Sequence, residues 1–155
     1  MRVIKIVGST VIGLVVFLLL LSLTGFEPTG RVAGLWLKGE RVTAPVTDWS
    51  FTDKIPEIKL QTQTPFLLPH SVTIWCAVYS GNLYVTSARG RQWVENSIRD
   101  PHVRLKIGDK VFDRTLTSVD DPVEKAAVLQ AKGRKYPQWK VPSVSASTVF
   151  RVNPA

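Results

Sequence analysis

The sequence contains one cysteine and two histidines among its 155 residues, so thiol and imidazole chemistry has few possible carriers. Cys76 lacks a partner for an internal disulfide, and with His70 and His102 alone it cannot complete a metal cage. The chain also lacks a Gly-x-Ser-x-Gly elbow, a His-Glu-x-x-His helix and the glycine-rich loops that bind nucleotide phosphates. These absences argue against the common hydrolases, a histidine-rich metal site and a helix-loop nucleotide site.

Acidic residues are few beside the basic ones, and the imbalance is strongest near the C-terminus. Lysine and arginine number 20 against 12 aspartates and glutamates, which gives a net charge of +8. The range from Lys125 to Arg151 contains six basic residues and no acidic one. Such a balance is compatible with nucleic acid, lipid headgroups or a phosphorylated cofactor as partner. A solvated basic face is the simpler interpretation of this range, and a membrane-surface contact is another.

A single long apolar run is present, and it lies at the N-terminus. It follows the positive segment Met1–Lys5 and extends over residues 6–23, interrupted by a few small residues. Its length is at the lower limit for a helix of about 20 residues that spans a bilayer. We expect residues 1–26 to be an uncleaved anchor with one transmembrane helix, because the sequence after Ser22 is a poor signal-peptidase site. A cleaved signal segment is the alternative.

The charged residues on either side of this apolar run indicate on which side of the membrane the soluble domain lies. Arg2 and Lys5 favour a cytoplasmic N-terminus, whereas Arg31, Lys38 and Arg41 on the other side weaken that assignment. The expected location is a single-pass, membrane-anchored protein with its soluble domain on the periplasmic or extracytoplasmic side. A membrane anchor also makes nucleic acid an unexpected partner.

The rest of the chain is typical of short antiparallel strands. Residues 27–56 are predicted to form a linker and a capping hairpin or loop, and residues 57–155 one domain. At its centre we expect a hairpin of residues 70–79 and 83–88, whose first strand is apolar on both faces and therefore covered on both. Two helices are predicted among six to eight strands, the second with Asp121 as its N-cap. The predicted fold class is mainly β, an antiparallel barrel with added helices.

Candidate binding residues follow the second strand of that hairpin. Ser87, Arg89 and Arg91 precede a predicted helix, and first-turn amides together with guanidinium groups favour an anion. Trp75 and Trp93 are candidates for stacking on a flat ring. From the residues alone the opposite interpretation stays open, in which the arginines are solvated turn residues and the aromatic rings belong to the core.

The order of these segments carries a resemblance. It comprises Ser71-Val-Thr-Ile-Trp75, a Gly-Asn turn, Leu83-Tyr-Val-Thr-Ser87, a helix containing Trp93, the segment Asp100–Lys106 and the closing Val149–Pro154. This order resembles the flavin-binding split-barrel superfamily, which includes pyridoxamine 5′-phosphate oxidase-like proteins and deazaflavin-dependent nitroreductase or quinone reductase relatives. The likeness extends over residues 57–154. It contains no catalytic signature, and Phe66–His70 replaces the Lys-Ser-Gly type of loop common in the deazaflavin enzymes.

The resemblance implies a split barrel that forms a homodimer and binds its cofactor, FMN or a deazaflavin, in a cleft between the subunits. It implies no metal and assigns no catalytic residue. The cofactor's phosphate would be bound by side chains of the central strands and the loop after them, and its ring would be lined by aromatic residues. Carried onto this sequence, with His70 as a further donor, the binding residues are His70, Thr73, Trp75, Ser87, Arg89, Arg91 and Trp93.

Two functions are compatible with this sequence. The first is a membrane-anchored, flavin- or deazaflavin-dependent oxidoreductase with a quinone or nitroaromatic acceptor, in which the cofactor carries hydride and the protein supplies position and electrostatics. The alternative is a non-catalytic split-barrel module that binds flavin, haem or an envelope protein partner. The sequence leaves open whether the protein is an enzyme.

Overall fold

The computed structural model of the protein describes residues 2–66, 68–88 and 90–155, and it also leaves the side chains of residues 2–7 and 9 undescribed. Three α-helices and eight strands are found in this part of the chain. The helices are α1 (Arg2–Thr24), α2 (Gln92–Arg99) and α3 (Pro122–Lys135). The strands are β1 (Glu40–Arg41), β2 (Ile58–Thr62), β3 (His70–Ile74), β4 (Cys76–Tyr79), β5 (Asn82–Ala88), β6 (His102–Ile107), β7 (Lys110–Ser118) and β8 (Ser147–Pro154). The predicted mainly-β class is confirmed.

Seven strands form one antiparallel sheet in the order β3-β2-β6-β7-β8-β5-β4. The two strands at its ends, β3 and β4, are consecutive in the chain and are separated by Trp75 alone. The sheet is therefore curled into a half-barrel whose two ends meet at Trp75. The sequence predicts one strand over residues 70–79, but the structure divides it there, because its first half pairs with β2 and its second half with β5.

Two tight turns connect the hairpins. Ser80 and Gly81 join β4 to β5, and both have positive φ angles, 50° and 78°. This is the pattern of a type I′ turn, whose twist matches that of the flanking strands. Gly108 begins the turn between β6 and β7 with a φ of 60°, as a type II′ turn requires at its first position. Local turn chemistry therefore sets the register of both hairpins.

The segment before β2 packs against the sheet. β1 pairs in parallel with the start of β7, through Glu40 opposite Lys110, instead of forming the predicted hairpin with its own neighbours. A Cβ atom on Gly39 would lie 2.3 Å from the Asp109 carbonyl oxygen, so this approach requires glycine. Glu27, predicted to begin a linker, forms ion pairs with Lys59 and Lys106 on β2 and β6.

The barrel interior is the main hydrophobic core. Alternate residues of the strands point into it, among them Leu60, Leu105 and Phe150, each at most 2% exposed. A second cluster lies beneath α3, where Val128 and Leu129 pack on Tyr84. The two clusters show that α3 covers the outer face of the sheet.

The N-terminal helix α1 was expected to span a membrane. Within the part of the chain that the structure describes, no helix combines the length and the apolar character needed to cross a membrane. The transmembrane helix is therefore not confirmed, and the location of the domain stays a prediction.

The predicted cap of α3 is confirmed. The Asp121 carboxylate accepts hydrogen bonds from the backbone N–H groups of Val123 (3.0 Å) and Glu124 (3.2 Å), and Pro122 begins the helix. We expect Asp121→Ala to lower the free energy of unfolding by about 1 kcal/mol, because two N-terminal donors lose their acceptor. Denaturant unfolding measures this, with Asp120→Ala, a change at the exposed neighbour, as control. Equal losses in both variants would contradict a capping role.

Candidate functional site

Two adjoining clefts lie where β5 ends and α2 begins. The first cleft has a volume of about 520 Å³ and lies between β3, β5, α2 and the loop of residues 30–33. It brings together four of the predicted binding residues. The full lining is Gly30, Arg31, Val32, Ala33, Val72, Thr73, Ile74, Ser87, Arg91 and Trp93.

The second cleft, of about 370 Å³, lies on the α3 side and shares Ser87 and Arg91 with the first. Its wall contains three cations and three hydroxyl groups but no acidic residue. The lining is Thr86, Ser87, Ala88, Arg91, Lys132, Trp139, Lys140, Pro142, Ala146 and Ser147. No salt bridge within the described ranges involves Arg91, Lys132 or Lys140, so no ion pair among those residues balances the positive charge of this cleft.

Lys132 is the most unusual group in the second cleft. It is only 5% exposed, and its Nζ donates a 2.6 Å hydrogen bond to the Thr86 hydroxyl. The ammonium lies 4.3 Å from the centre of the Trp139 ring and 5.7 Å from that of Trp75, within the range of cation–π attraction. Burial lowers the pKa of Lys132 to about 8. Lys132 is therefore still mainly charged at pH 7, and an anion in the cleft would stabilise that charge.

Arg91 lies at the boundary between the clefts. It is exposed and is the N-cap residue of α2, while the preceding Gly90 has a φ of 76° that turns the chain out of β5. The Arg91 side chain makes no capping hydrogen bond to the first turn of α2. The guanidinium and the helix N-terminus thus present positive charge at the same edge.

Thr73 differs from the other residues of the first cleft. Its hydroxyl is buried, and within the described ranges it has no hydrogen-bond partner. A buried hydroxyl without a partner costs about 1–3 kcal/mol. This orphaned group beside the first cleft is what would be expected if an additional molecule completed the site.

Trp75 and His70 lie outside both clefts, and Trp93 reaches the first cleft from the core. The ring of Trp75 stacks on Tyr136 at 4.5 Å between centres, and Trp75 lines neither cleft. His70 pairs with Thr62 on β2 at the far end of β3, and burial lowers the pKa of its imidazole. Trp93 reaches the first cleft but is 5% exposed and packs on Phe150 in the core. Arg89 is outside the described residues, so its role stays a prediction.

Several solved structures have a similar architecture. The sequence matches no protein-family model and no curated protein. A putative pyridoxamine 5′-phosphate oxidase from Listeria innocua is similar with a TM-score of 0.55 at 15% identity, covering 68% of this chain and 88% of that one. An F420 reductase is similar with a TM-score of 0.55 at 20% identity, covering 72% and 96%. The haem storage protein HutZ from Vibrio cholerae is similar with a TM-score of 0.56 at 16% identity, covering 68% and 86%.

The chain has the split-barrel fold of these structures. The predicted resemblance is thereby confirmed at the level of the fold. The assignment of individual residues to a cofactor stays a prediction, because structures with less than 25% sequence identity to this chain show a shared fold but not shared binding residues.

Three residues of the split-barrel clefts were missed from the sequence, namely Lys132, Trp139 and Lys140. All three lie in the basic C-terminal range, for which a solvated face was the simpler interpretation. One signal was available for Lys132: it follows Val128 and Leu129 by four and three positions, so it shares the apolar face of α3. A lysine on the buried face of a helix is a candidate for a site.

Proposed function

We propose that this split-barrel protein binds a phosphorylated flavin-type cofactor, FMN or a deazaflavin, and works with it as an oxidoreductase. The observation that carries the proposal is the second cleft, in which Arg91, Lys132 and Lys140 face no carboxylate. An anion in this cleft would be attracted by all three cations, with no carboxylate of the lining to repel it. The structural similarity to an F420 reductase and to a putative pyridoxamine 5′-phosphate oxidase supports a cofactor of this class.

The residues present fit the phosphate of such a cofactor. Arg91 is suited to bidentate phosphate binding and Lys140 to a point-charge contact, and both are exposed at the mouth of the cleft. The Ser87 hydroxyl belongs to both clefts, so it is placed to donate to a group that crosses from one to the other. Lys132 supplies a third positive charge from the buried side of the cleft. Its hydrogen bond to Thr86 fixes the position of the ammonium group.

The first cleft fits the remainder of the cofactor. The apolar part of its lining consists of Val72, Ile74 and Trp93. The Thr73 hydroxyl, which has no partner among the described residues, can donate a hydrogen bond to the ligand. A flavin-type ring system accepts and donates hydride when bound. The chain's part is to bind the phosphate, orient the ring and exclude water from one face, which requires no acid or base side chain. A quinone or nitroaromatic acceptor is the substrate class that we propose for it.

We also propose that the protein is a homodimer anchored in a membrane with its barrel on the extracytoplasmic side. One similar structure is described as a domain-swapped dimer, which supports self-association. Apolar side chains of α1, such as Ile12 and Phe17, are more than half exposed and need a nonpolar surrounding. Light scattering in mild detergent tests the dimer, and protease accessibility of the barrel in intact cells and spheroplasts tests the location.

A haem-binding module is the second candidate, because HutZ has a similar fold. Neither cleft favours it. The linings contain no histidine, cysteine, methionine or tyrosine that could serve as an axial iron ligand. Denaturing the purified full-length protein and identifying any released chromophore by absorbance and mass separates the two candidates.

We expect Arg91→Ala to weaken the binding of FMN, or of the phosphorylated deazaflavin, about tenfold, and to leave riboflavin binding unchanged. The reason is that riboflavin lacks the phosphate that Arg91 contacts. Fluorescence titration of the full-length protein with both ligands measures the ratio of their affinities. The control is Arg134→Ala, at an exposed arginine of α3 outside both clefts. Equal affinity of the wild type for FMN and riboflavin, or no binding of either cofactor class, would refute the proposal.

A further inference from the structure

Arg114 on β7 is a partly buried arginine without a carboxylate of its own. The carboxylate of the neighbouring Asp113 pairs with two other arginines: Arg41 contacts it at 2.7 Å, and Arg104 contacts both of its oxygens, at 2.7 and 3.3 Å. The guanidinium of Arg114 instead donates a 2.7 Å hydrogen bond to the Asp113 backbone carbonyl. Burial lowers the pKa of Arg114, so its charge is held at a cost in this position.

Two aromatic rings hold this guanidinium in place. Its central carbon lies 5.5 Å from the ring centre of Trp49 and 5.5 Å from that of Phe112. Trp49 and Phe112 also pack edge-to-face on one another, at 5.6 Å. Aromatic faces fix an arginine by cation–π attraction while leaving N–H groups at its edge free for a planar acceptor. The arginine is thus preorganised, which lowers the entropic cost of binding an oxyanion.

Two further clefts meet at Arg114. One, of about 310 Å³, is bounded largely by nonpolar residues: Val42, Ala44, Pro45, Val46, Trp49 and Val152. The other, of about 420 Å³, is more polar and contains Gln61, Gln63 and His102. Asp113 and Arg114 belong to both. Neither shares a residue with the two clefts at Ser87 and Arg91.

We propose that Arg114 is the anchor of a second ligand site, which binds the carboxylate of a small organic acid whose apolar or aromatic body lies against Trp49 in the 310 Å³ cleft. A mainly apolar cavity with a few convergent polar or charged groups is the usual form of a small-molecule site. Arg41 and Arg104 both pair with the Asp113 carboxylate, whereas Arg114 forms no salt bridge among the described residues, so its guanidinium is available to a ligand carboxylate. This site is additional to the proposed cofactor function and does not depend on it.

Calorimetric titration of the full-length protein with 2-naphthoate, octanoate and indole-3-acetate tests the site, with 2-naphthylmethanol as the uncharged match. We expect at least one acid to bind, and the alcohol to bind at least tenfold more weakly. Arg114→Lys should weaken acid binding about tenfold, because an ammonium cannot reproduce the two parallel bonds of a guanidinium. Arg114→Met should reduce it to the level of the alcohol.

The outcomes separate a binding role from a structural one. If Arg114 only supports the packing of Trp49 and Phe112, Arg114→Lys lowers the melting temperature and leaves acid affinity unchanged, which overturns the proposal. Failure of all three acids to bind, or equal binding of 2-naphthoate and its alcohol, also overturns it. Saturation with FMN should not change the affinity for the acid, whereas competition between them would place both ligands in one site and refute a second one.

Discussion

Replacing Lys132 with methionine is expected to raise the free energy of unfolding at pH 7 by about 2 kcal/mol. The drop in the pKa of Lys132 from 10.5 to about 8 corresponds to about 3 kcal/mol of unfavourable burial of its charge. The hydrogen bond to Thr86 and the contact with Trp139 are lost in the variant, which offsets about 1 kcal/mol of this gain. Methionine has a similar length and fills the same apolar space.

The sign of the pH dependence identifies the cause. Below pH 8 the lysine is charged in both states, so the folded wild type bears the full cost of burying the charge. Between pH 8 and 10.5 the unfolded chain binds the extra proton, so the stability of the wild type rises with pH. The advantage of the variant should therefore be constant from pH 6 to 7.5 and shrink by about 1 kcal/mol per pH unit above 8.

Denaturant unfolding of both proteins from pH 6 to 9.5 gives this difference. Burial also raises the pKa values of Cys76 and Tyr136, and because both proteins contain these groups, the effect of their burial cancels in the difference and only the Coulombic coupling of Cys76 to Lys132 is lost in the variant. Arg134→Met, at an exposed position of α3, should change stability by less than about 0.5 kcal/mol at every pH. A Lys132→Met protein that is less stable than wild type at pH 7 would contradict the proposed cost of burial.

The same variant separates stability from binding. If Lys132 faces the phosphate, Lys132→Met should bind FMN about tenfold more weakly while it unfolds at higher denaturant concentration. A residue that lowers the stability of the folded protein but contributes to binding is typical of a functional site. Equal affinity of the variant and the wild type for FMN would remove Lys132 from the proposed site and leave its burial without a functional explanation.

The largest loss of stability is expected from Leu105→Ala, at about 3–5 kcal/mol. Leu105 is 0% exposed and lies on β6 in the main core. Its strand pairs on both sides, with Leu60 opposite on β2 and Phe112 opposite on β7, so the surrounding backbone cannot collapse into the space left by the side chain. The cost is therefore the lost transfer free energy and the cavity together.

Denaturant unfolding measures this loss, with Val123→Ala as the control. Val123 is 75% exposed on the first turn of α3, and its truncation should change the free energy of unfolding by less than about 0.5 kcal/mol. A loss below about 1.5 kcal/mol at Leu105 would show that the barrel repacks easily and that the core is less rigid than its burial indicates.

Features that depend on a few adjacent residues were predictable. The Asp121–Pro122 start of α3, the turns at Ser80–Gly81 and at Gly108, and the short helix after Arg91 follow from local backbone preferences. The mainly-β class followed from the spacing of these turns. In the candidate site, Ser87 and Arg91 line the same two clefts because they are only four residues apart, on either side of the turn from β5 into α2, and their role in binding stays a prediction.

Features that depend on distant partners were not predictable. The division of residues 70–79 at Trp75, the stacking of that ring on Tyr136 and the parallel pairing of β1 with β7 each join segments that are far apart in the chain.

The sequence by itself determined the locally encoded features, such as the start of α3 and the turn at Ser80–Gly81, and the positive charge of the C-terminal range. Only the tertiary structure decided which of those charges are buried together, because the closure of the sheet at Trp75 and the packing of α3 on it bring Lys132 to Thr86, 46 residues away. Local preferences determine the conformation of each element, whereas burial of a charge depends on which elements pack against it.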